Sequence, residues 1–381
     1  MNDQEAIAQA NQIANYIKLI NYYFLSGQYD LAQQYIHCVD DINPARAIEL
    51  YEHYYKNTGS LGIASSYNLM LEQTDEVRMR RALYQLALNE QDGWDLFQVR
   101  KKLFPKTFQI DDASYWQGEQ GKGGILYILG EQGLGDHIMM ARYFKPLLEQ
   151  YGFSEIVVKP SSNTVNSLFT HLKHGRLLAN GERIELHVEG NYYCYLMDVA
   201  KYFDPPSGGN IPPLDLNLPP PVRTIDKNGR PDVAVIWQGN PGHARDEMRS
   251  ISFDEFRAVL TCESVNFHCF QFGESADLFN HVPANCTSMA PYIEGLPECA
   301  QFLRQMDVVI TVDSMPAHLA GSLGVETWLL KDFVADWRWN GDDYNTGWYP
   351  SMRLFKQYRP GVWHDVLSDI QHQLKKLSAR S

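Results

Sequence analysis

Along residues 1–108 the apolar positions recur at helical intervals and never alternate as they do in a half-buried strand, so this stretch is predicted to be entirely helical. Within it, SGQYDLAQQYIHCVDDINP (26–44) carries Gly27, Tyr29, Ala32, Tyr35 and Pro44 where a tetratricopeptide repeat puts its small, aromatic and terminating residues. The small side chain of Ala32 lets neighbouring helices approach, and Pro44 is expected to stop the second helix. One good half-repeat fits either a peptide-binding repeat surface or a plain helical cap on the next domain, since a stable solenoid usually stacks at least three repeats.

From about residue 120 the pattern changes. GILYILG (124–130) is a short apolar run ending in glycine, a helical pattern covers 137–150, and EIVVKP (155–160) follows. This is the strand–turn–helix–strand rhythm of a parallel sheet. FDPPSGGNIPPLDLNLPPPVR (203–223) is too rich in proline for a helix or a central strand and reads as a linker. The rhythm then restarts, with strands at 232–240, 267–273, 307–314 and 326–331. Helices are predicted at 252–260, opened by a Ser252/Glu255 capping box, at 296–306, and at 315–324, closed by Gly324. In the tail, Val362, Trp363, Val366, Leu367, Ile370, Leu374 and Leu377 share one helical face, which is expected to pack back across a domain.

The expected fold class is therefore α/β, with two facing Rossmann-like domains preceded by an all-helical, tetratricopeptide-like region. The boundaries are 1–108 for the helical region, 120–218 and 228–355 for the two Rossmann-like domains, and 356–381 for the returning helix. A chain of 381 residues suits two or three domains. With 33 Lys and Arg against 46 Asp and Glu, its formal charge of −13 argues against a nucleic-acid partner but leaves room for a local basic pocket. Its six cysteines form no CxxC pair and no Cys/His cluster at zinc spacing, as expected of reduced thiols. No signal peptide and no membrane-spanning run is evident, and a cytoplasmic protein is expected.

Open α/β sheets bind ligands beyond the carboxyl ends of their strands, and four loops fall there. In GEQGLGDHIMMARYF (130–144), Gly133 and Gly135 allow tight turns and close approach of a ligand to the backbone. Asp136 sits at the start of a helix and fits two roles, a helix cap or a general base facing the cleft, with His137 beside it as a second catalytic candidate. In WQGNPGHARDEMRSIS (237–252), Asn240, Arg249 and Ser250 precede a helix start and suit an anion. In VDSMPAHLAGSLG (312–324), Asp313 suits sugar hydroxyls, and Ser314 and His318 suit phosphate. Trp337 and Arg338, in the aromatic loop 331–355, are candidates to contact a base or sugar, as are Trp237 and Phe272.

Taken together, GEQGLGDHIMMARYFKPL, WQGNPGHARDEMRSI, VDSMPAHLAGSLGVETWLL and DWRWNGDDYNTGWYPSMRLF resemble bacterial tetratricopeptide-repeat-linked glycosyltransferases. These are similar in turn to the heptosyltransferases and, more distantly, to O-GlcNAc transferase. The resemblance covers about residues 95–355. It implies the GT-B architecture, with a nucleotide-sugar between two Rossmann-like domains, and inverting catalysis without a metal. It also implies that Asp136 is the catalytic aspartate, that Asp313, Ser314 and His318 form a donor block, and that Asn240, Arg249 and Ser250 contact the diphosphate. The lysine usual in that last loop is not evident, and Arg249 or Arg245 stands in its place.

The expected function is thus inverting, metal-independent glycosyl transfer from a nucleotide-diphosphate sugar, a substrate rather than a cofactor, to a hydroxyl or amide of a glycan or protein acceptor. The helical region is a candidate docking site for that acceptor. No DxD cluster stands in the donor loops, and the nearest acidic pair is 342–343. Two rival readings remain, a nucleotide-sugar epimerase on the same fold and a non-catalytic scaffold.

Overall fold

The computed structural model describes residues 3–104, 114–203, 210–273, 282–334, 336–339 and 344–379. The chain divides into two compact units. One is Met1–Thr107 with Asp332–Gly341 and Gln357–Val362, and the other is Phe108–Lys331 with Asp342–Lys356 and Trp363–Ser381. Two short segments that the sequence pattern assigns to the second Rossmann-like domain and to the tail thus belong with the helical region.

That helical unit consists of α1 (Asp3–Leu25), α2 (Tyr29–Asp40), α3 (Pro44–Asn57), α4 (Leu61–Leu69), α5 (Asp75–Ala87), α6 (Asp92–Leu96) and α7 (Arg100–Leu103). From α1 to α6 each helix packs on the next. Gly27 turns the chain between α1 and α2 with φ +73°, and Ala32 is fully buried among Ile20, Ile36, Val39 and Ala47. Pro44 differs from expectation. It opens α3 instead of closing α2, and the Asn43 side chain caps the helix by accepting the Arg46 N–H at 3.0 Å. Proline is harmless there because first-turn N–H groups have no acceptor within the helix.

A buried carboxylate ties α3 to α4 and α5. Glu52, 4% exposed, accepts hydrogen bonds from Asn68 Nδ2 (2.7 Å), Arg80 Nε and Nη2 (3.0 and 3.1 Å) and Tyr84 Oη (3.0 Å). Burial pushes its pKa up, but the bonds from Arg80 and Asn68 outweigh this and hold it below the ordinary value of 4.5. The stabilisation is therefore complete above about pH 4.5 and is lost as pH falls through the lower, folded-state value. Glu52→Ala is expected to cost about 3 kcal/mol, because Asn68 and Tyr84 lose a buried acceptor. The check is amide hydrogen exchange across α3–α5 in the full chain. Protection there should fall in the variant, and in the wild type below pH 4.5, ahead of protection in the rest of the chain.

The second unit holds two parallel sheets. In the first, β1 (Ile125–Leu129), β2 (Glu155–Lys159), β3 (Arg176–Leu177) and β4 (Tyr192–Tyr195) lie in the order β3-β2-β1-β4. In the second, β5 (Asp232–Ile236), β6 (Asn266–Cys269), β7 (Cys286–Ser288), β8 (Val308–Val312), β9 (Thr327–Lys331) and β10 (Met352–Lys356) lie in the order β10-β9-β8-β5-β6-β7. All neighbouring strands pair parallel. In each sheet the chain runs outward from a first strand, then returns to that strand's other side. The order thus reverses between β1 and β4 and between β5 and β8, and such switch points leave a crevice beyond the strand ends.

The helices of this unit are α8 (Leu134–Ala141), α9 (Phe144–Tyr151), α10 (Asn166–Phe169), α11 (Asp246–Arg249), α12 (Phe253–Phe256), α13 (Leu296–Leu303), α14 (Met315–Leu323) and α15 (His364–Ser378). The helix predicted over 137–150 is broken into α8 and α9. Pro146 has no N–H to bond the Arg142 carbonyl and its ring crowds that carbonyl, so α8 ends at Ala141 and the chain restarts at Phe144, with Pro146 in the first turn of α9 where no intrahelical N–H bond is lost. The tail helix forms as expected, with Trp363, Val366, Leu367, Ile370 and Leu374 in the same core as Val233, Val308 and Trp328. The described part of the proline-rich linker is packed: Ile211, Leu214 and Leu216 are buried, and the Leu214 N–H donates to the Ser322 carbonyl of α14 at 2.6 Å.

Candidate active site

Three of the four loops singled out in the sequence leave β1, β5 and β8, the strands beside the switch points. After β1 the chain turns through Gln132, whose φ of +63° is left-handed. Gly133, expected to supply such a turn, has φ −87° and is the N-cap of α8. Asp136 stands third in the helix, and its Oδ2 accepts the Gly133 N–H at 3.0 Å. This bond fixes the orientation of the half-buried carboxylate at the positive end of the helix. Glu131, missed in the sequence, is buried beside this turn, and its Oε1 accepts the Met197 N–H just after β4 at 3.0 Å.

Gly135 has a different purpose. A Cβ built there would lie 2.4 Å from His318 Cδ2, closer than any side chain can come. Glycine is what allows the first turns of α8 and α14 to meet, one after the first sheet's β1 and the other after the second sheet's β8.

His137 is corrected from catalytic to structural. It is fully buried, with Nδ1 2.8 Å from the Gly133 carbonyl and Nε2 3.3 Å from the Ser161 backbone nitrogen. A carbonyl only accepts and an N–H only donates, so the ring is neutral with its proton on Nδ1, and both nitrogens are committed to the backbone. It staples the β1–α8 turn to the loop after β2.

In the loop after β5, Arg249 is 9% exposed. Its Nε pairs with Asp246 Oδ1 at 3.3 Å and its Nη1 donates to the Asp313 carbonyl at 2.7 Å, which braces the guanidinium against the end of β8. Ser250 is corrected. Its Oγ donates its single proton to Asp246 Oδ1 (2.9 Å) and accepts the Gly239 N–H (2.9 Å), so no proton is left for a phosphate. Asn240 is exposed, and its Oδ1 closes a turn on the Gly242 N–H at 2.9 Å. Trp237 is corrected from a base contact to a core residue, fully buried against Phe253 and Phe256.

In the loop after β8, Ser314 caps α14 by position, but its hydroxyl donates back to the Val312 carbonyl at 3.3 Å. Asp313 is half-buried. His318, 7% exposed, lies one turn in, with Nδ1 2.9 Å from Tyr349 Oη. Trp337 and Arg338 belong to the other unit. Trp337 packs edge-on against Trp94 at 6.0 Å, and the Arg338 guanidinium covers its ring at 4.3 Å. The Trp337 ring is thus enclosed by the helical unit's own aromatics, which leaves it no open face for a base, while half-buried Arg338 donates through Nη1 to Asp336 Oδ1 at 2.6 Å. Phe272 is 40% exposed beyond β6, while the rest of its loop (274–281) and the acidic pair 342–343 lie outside the described residues. Among the described residues, no group of three or more His, Cys, Asp or Glu side chains could hold a metal ion, and no helix is long and apolar enough to cross a membrane.

Arg142 and Tyr349 are further residues that the sequence reading missed. Arg142 is 3% exposed, burial lowers its pKa, and its hydrogen bonds go to the carbonyls of Ile211, Pro212 and Trp348. It therefore joins α8 to the linker and to the loop before β10. No local motif announces such a residue, because its partners lie about 70 and 206 positions away.

No family model matches the chain. Among curated proteins it is similar to Protein FlbA of Caulobacter vibrioides, at 24% identity over 334 residues covering 80% of this chain and 55% of that protein. The chain thus spans about half the length of this relative. Among solved structures it is similar to the bacterial iron-containing dodecameric glycosyltransferase TibC from enterotoxigenic E. coli H10407 (TM-score 0.47, 14% identity, 69% of this chain and 81% of that one). It is also similar to E. coli ADP-heptose lps heptosyltransferase II (TM-score 0.43, 15% identity, 67% and 98%), and to a glycosyl transferase family 9 protein from Veillonella parvula DSM 2008 (TM-score 0.46, 9% identity, 70% and 100%).

Proposed function

We propose that the chain transfers a sugar from a nucleoside-diphosphate sugar to a hydroxyl or amide of a glycan or protein acceptor, with inversion at the anomeric carbon and without a metal ion. The observation that supports this reading most is the contact of Gly135 with His318. It brings two strand-end loops, one from each parallel sheet, against each other with Asp136, Asp313 and His318 on them. In this reading Asp136 takes the acceptor proton as the acceptor atom attacks the anomeric carbon. The bond to the diphosphate breaks on the opposite face, and its electrons pass to the leaving phosphate oxygen. Amide groups at the start of α14, with Arg249 and His318, offset that charge.

The test is calorimetry on the full chain with ADP, UDP and GDP, each with and without a chelator. ADP is included because one TibC structure holds ADP-D-beta-D-heptose. At least one nucleotide is expected to bind, with an affinity the chelator leaves unchanged. Binding that vanishes with chelator would remove the metal-free part of the reading. No binding under either condition would favour a non-catalytic scaffold; with the matching nucleotide-sugar and an added acceptor, an epimerised sugar without transfer would favour an epimerase.

A further inference from the structure

His318 and His137 hold the same position in two helices that meet, four residues after the N-cap of α14 and of α8. Their Nδ1 atoms face different partners. That of His137 faces a carbonyl, whereas that of His318 faces a phenol, which can donate. Tyr349 is fully buried and held in place. A Cβ on Gly321 would lie 2.6 Å from its Cγ, and the Arg142 guanidinium stands 5.0 Å from its ring centroid. A cation over an aromatic ring draws electron density toward itself, and a phenol so polarised is a better donor and a poorer acceptor.

We propose that Tyr349, polarised by Arg142, donates its hydroxyl proton to His318 Nδ1 and so fixes His318 as the tautomer that carries its proton on Nε2. Tyr349 and Arg142 are then positioning residues. Cδ2 is the ring atom that faces α8, and Nε2, bonded to it, lies 3.2 Å from where a Gly135 Cβ would stand, so the Nε2–H lies beside the meeting of the two strand-end loops. The use of that donor for a phosphate or sugar oxygen rests on the transferase reading above. The opposite tautomer would turn a lone pair toward an anion.

Long-range 1H–15N correlation on the full chain labelled with 15N-histidine reads the tautomers directly, with His318→Gln identifying the signal. His318 is expected to carry its proton on Nε2 and His137 on Nδ1, so the two histidines report opposite patterns in one spectrum. In Tyr349→Phe, which keeps the ring over Gly321, the His318 pattern should become mixed or invert while that of His137 stays. Nucleoside-diphosphate affinity should also fall about tenfold, the worth of one charge-assisted hydrogen bond. A wild-type spectrum with His318 protonated on Nδ1 overturns the inference without any variant, as does an unchanged His318 pattern in folded Tyr349→Phe. If no nucleotide binds the wild type while the tautomer depends on Tyr349, the transferase reading fails and the tautomer assignment stands.

Discussion

Asp136→Asn is expected to give a folded protein whose turnover is lower by about two to four orders of magnitude, the usual worth of a positioned general base, with nucleoside-diphosphate affinity near wild type. The two roles open to Asp136 separate cleanly in this variant. As a cap, the carboxylate accepts the Gly133 N–H through Oδ2, and the amide oxygen of asparagine accepts the same bond. As a base, it takes a proton from the acceptor, which an amide does not do. Asp136→Ala is the contrast, since it loses the cap as well and should lower stability by about 1 kcal/mol. Steady-state kinetics, thermal denaturation and calorimetry on both variants give the answer. Turnover retained in Asp136→Asn would reduce Asp136 to a cap and remove the base from the mechanism.

How far the sequence could be read follows from how local each signal is. The strands β1, β2, β5, β6, β8 and β9 were legible because buried parallel strands are short apolar runs between turn residues. The two-residue β3, the tyrosine-rich β4 and the three-residue β7 have no such contrast with their flanks, and β10 (MRLFK) mixes apolar with charged residues at the end of what reads as one long aromatic loop, so these four passed unseen. The strand-end loops were found for the same reason that the strands were. Roles within those loops were not legible, because partners set them. Ser250 reads as a phosphate donor until Asp246 takes its proton. Trp237 reads as a base contact until β5 proves buried on both faces, with the indole lodged between Phe253 and Phe256. His137 and His318 carry the same local signal, a histidine just inside a helix after a strand end. Only Ser161 and Tyr349, distant in sequence, tell them apart.

Gly135→Ala is expected to disrupt the meeting of α8 and α14 with little effect inside either sheet. The new Cβ would stand 2.4 Å from His318 Cδ2 and 3.1 Å from Cγ. The imidazole is not the loose end of a flexible chain. It is 7% exposed and tied to Tyr349, whose ring is itself wedged between Gly321 and Arg142. Either helix must therefore shift as a body, at a cost of about 1–3 kcal/mol for an overpacked methyl. Because that shift moves Asp136 relative to His318, turnover and nucleotide affinity should both fall. Gly133→Ala, two residues away, is the control. Its φ of −87° suits any residue, and the atom nearest a new Cβ is Asp136 Oδ2 at an ordinary 3.5 Å, so it should cost under about 1 kcal/mol and bind nucleotide nearly as wild type. Thermal denaturation and calorimetry on the pair make the comparison. If Gly135→Ala binds nucleotide as tightly as Gly133→Ala, close contact between the two strand-end loops is not what builds the site, and the transferase reading loses its main support.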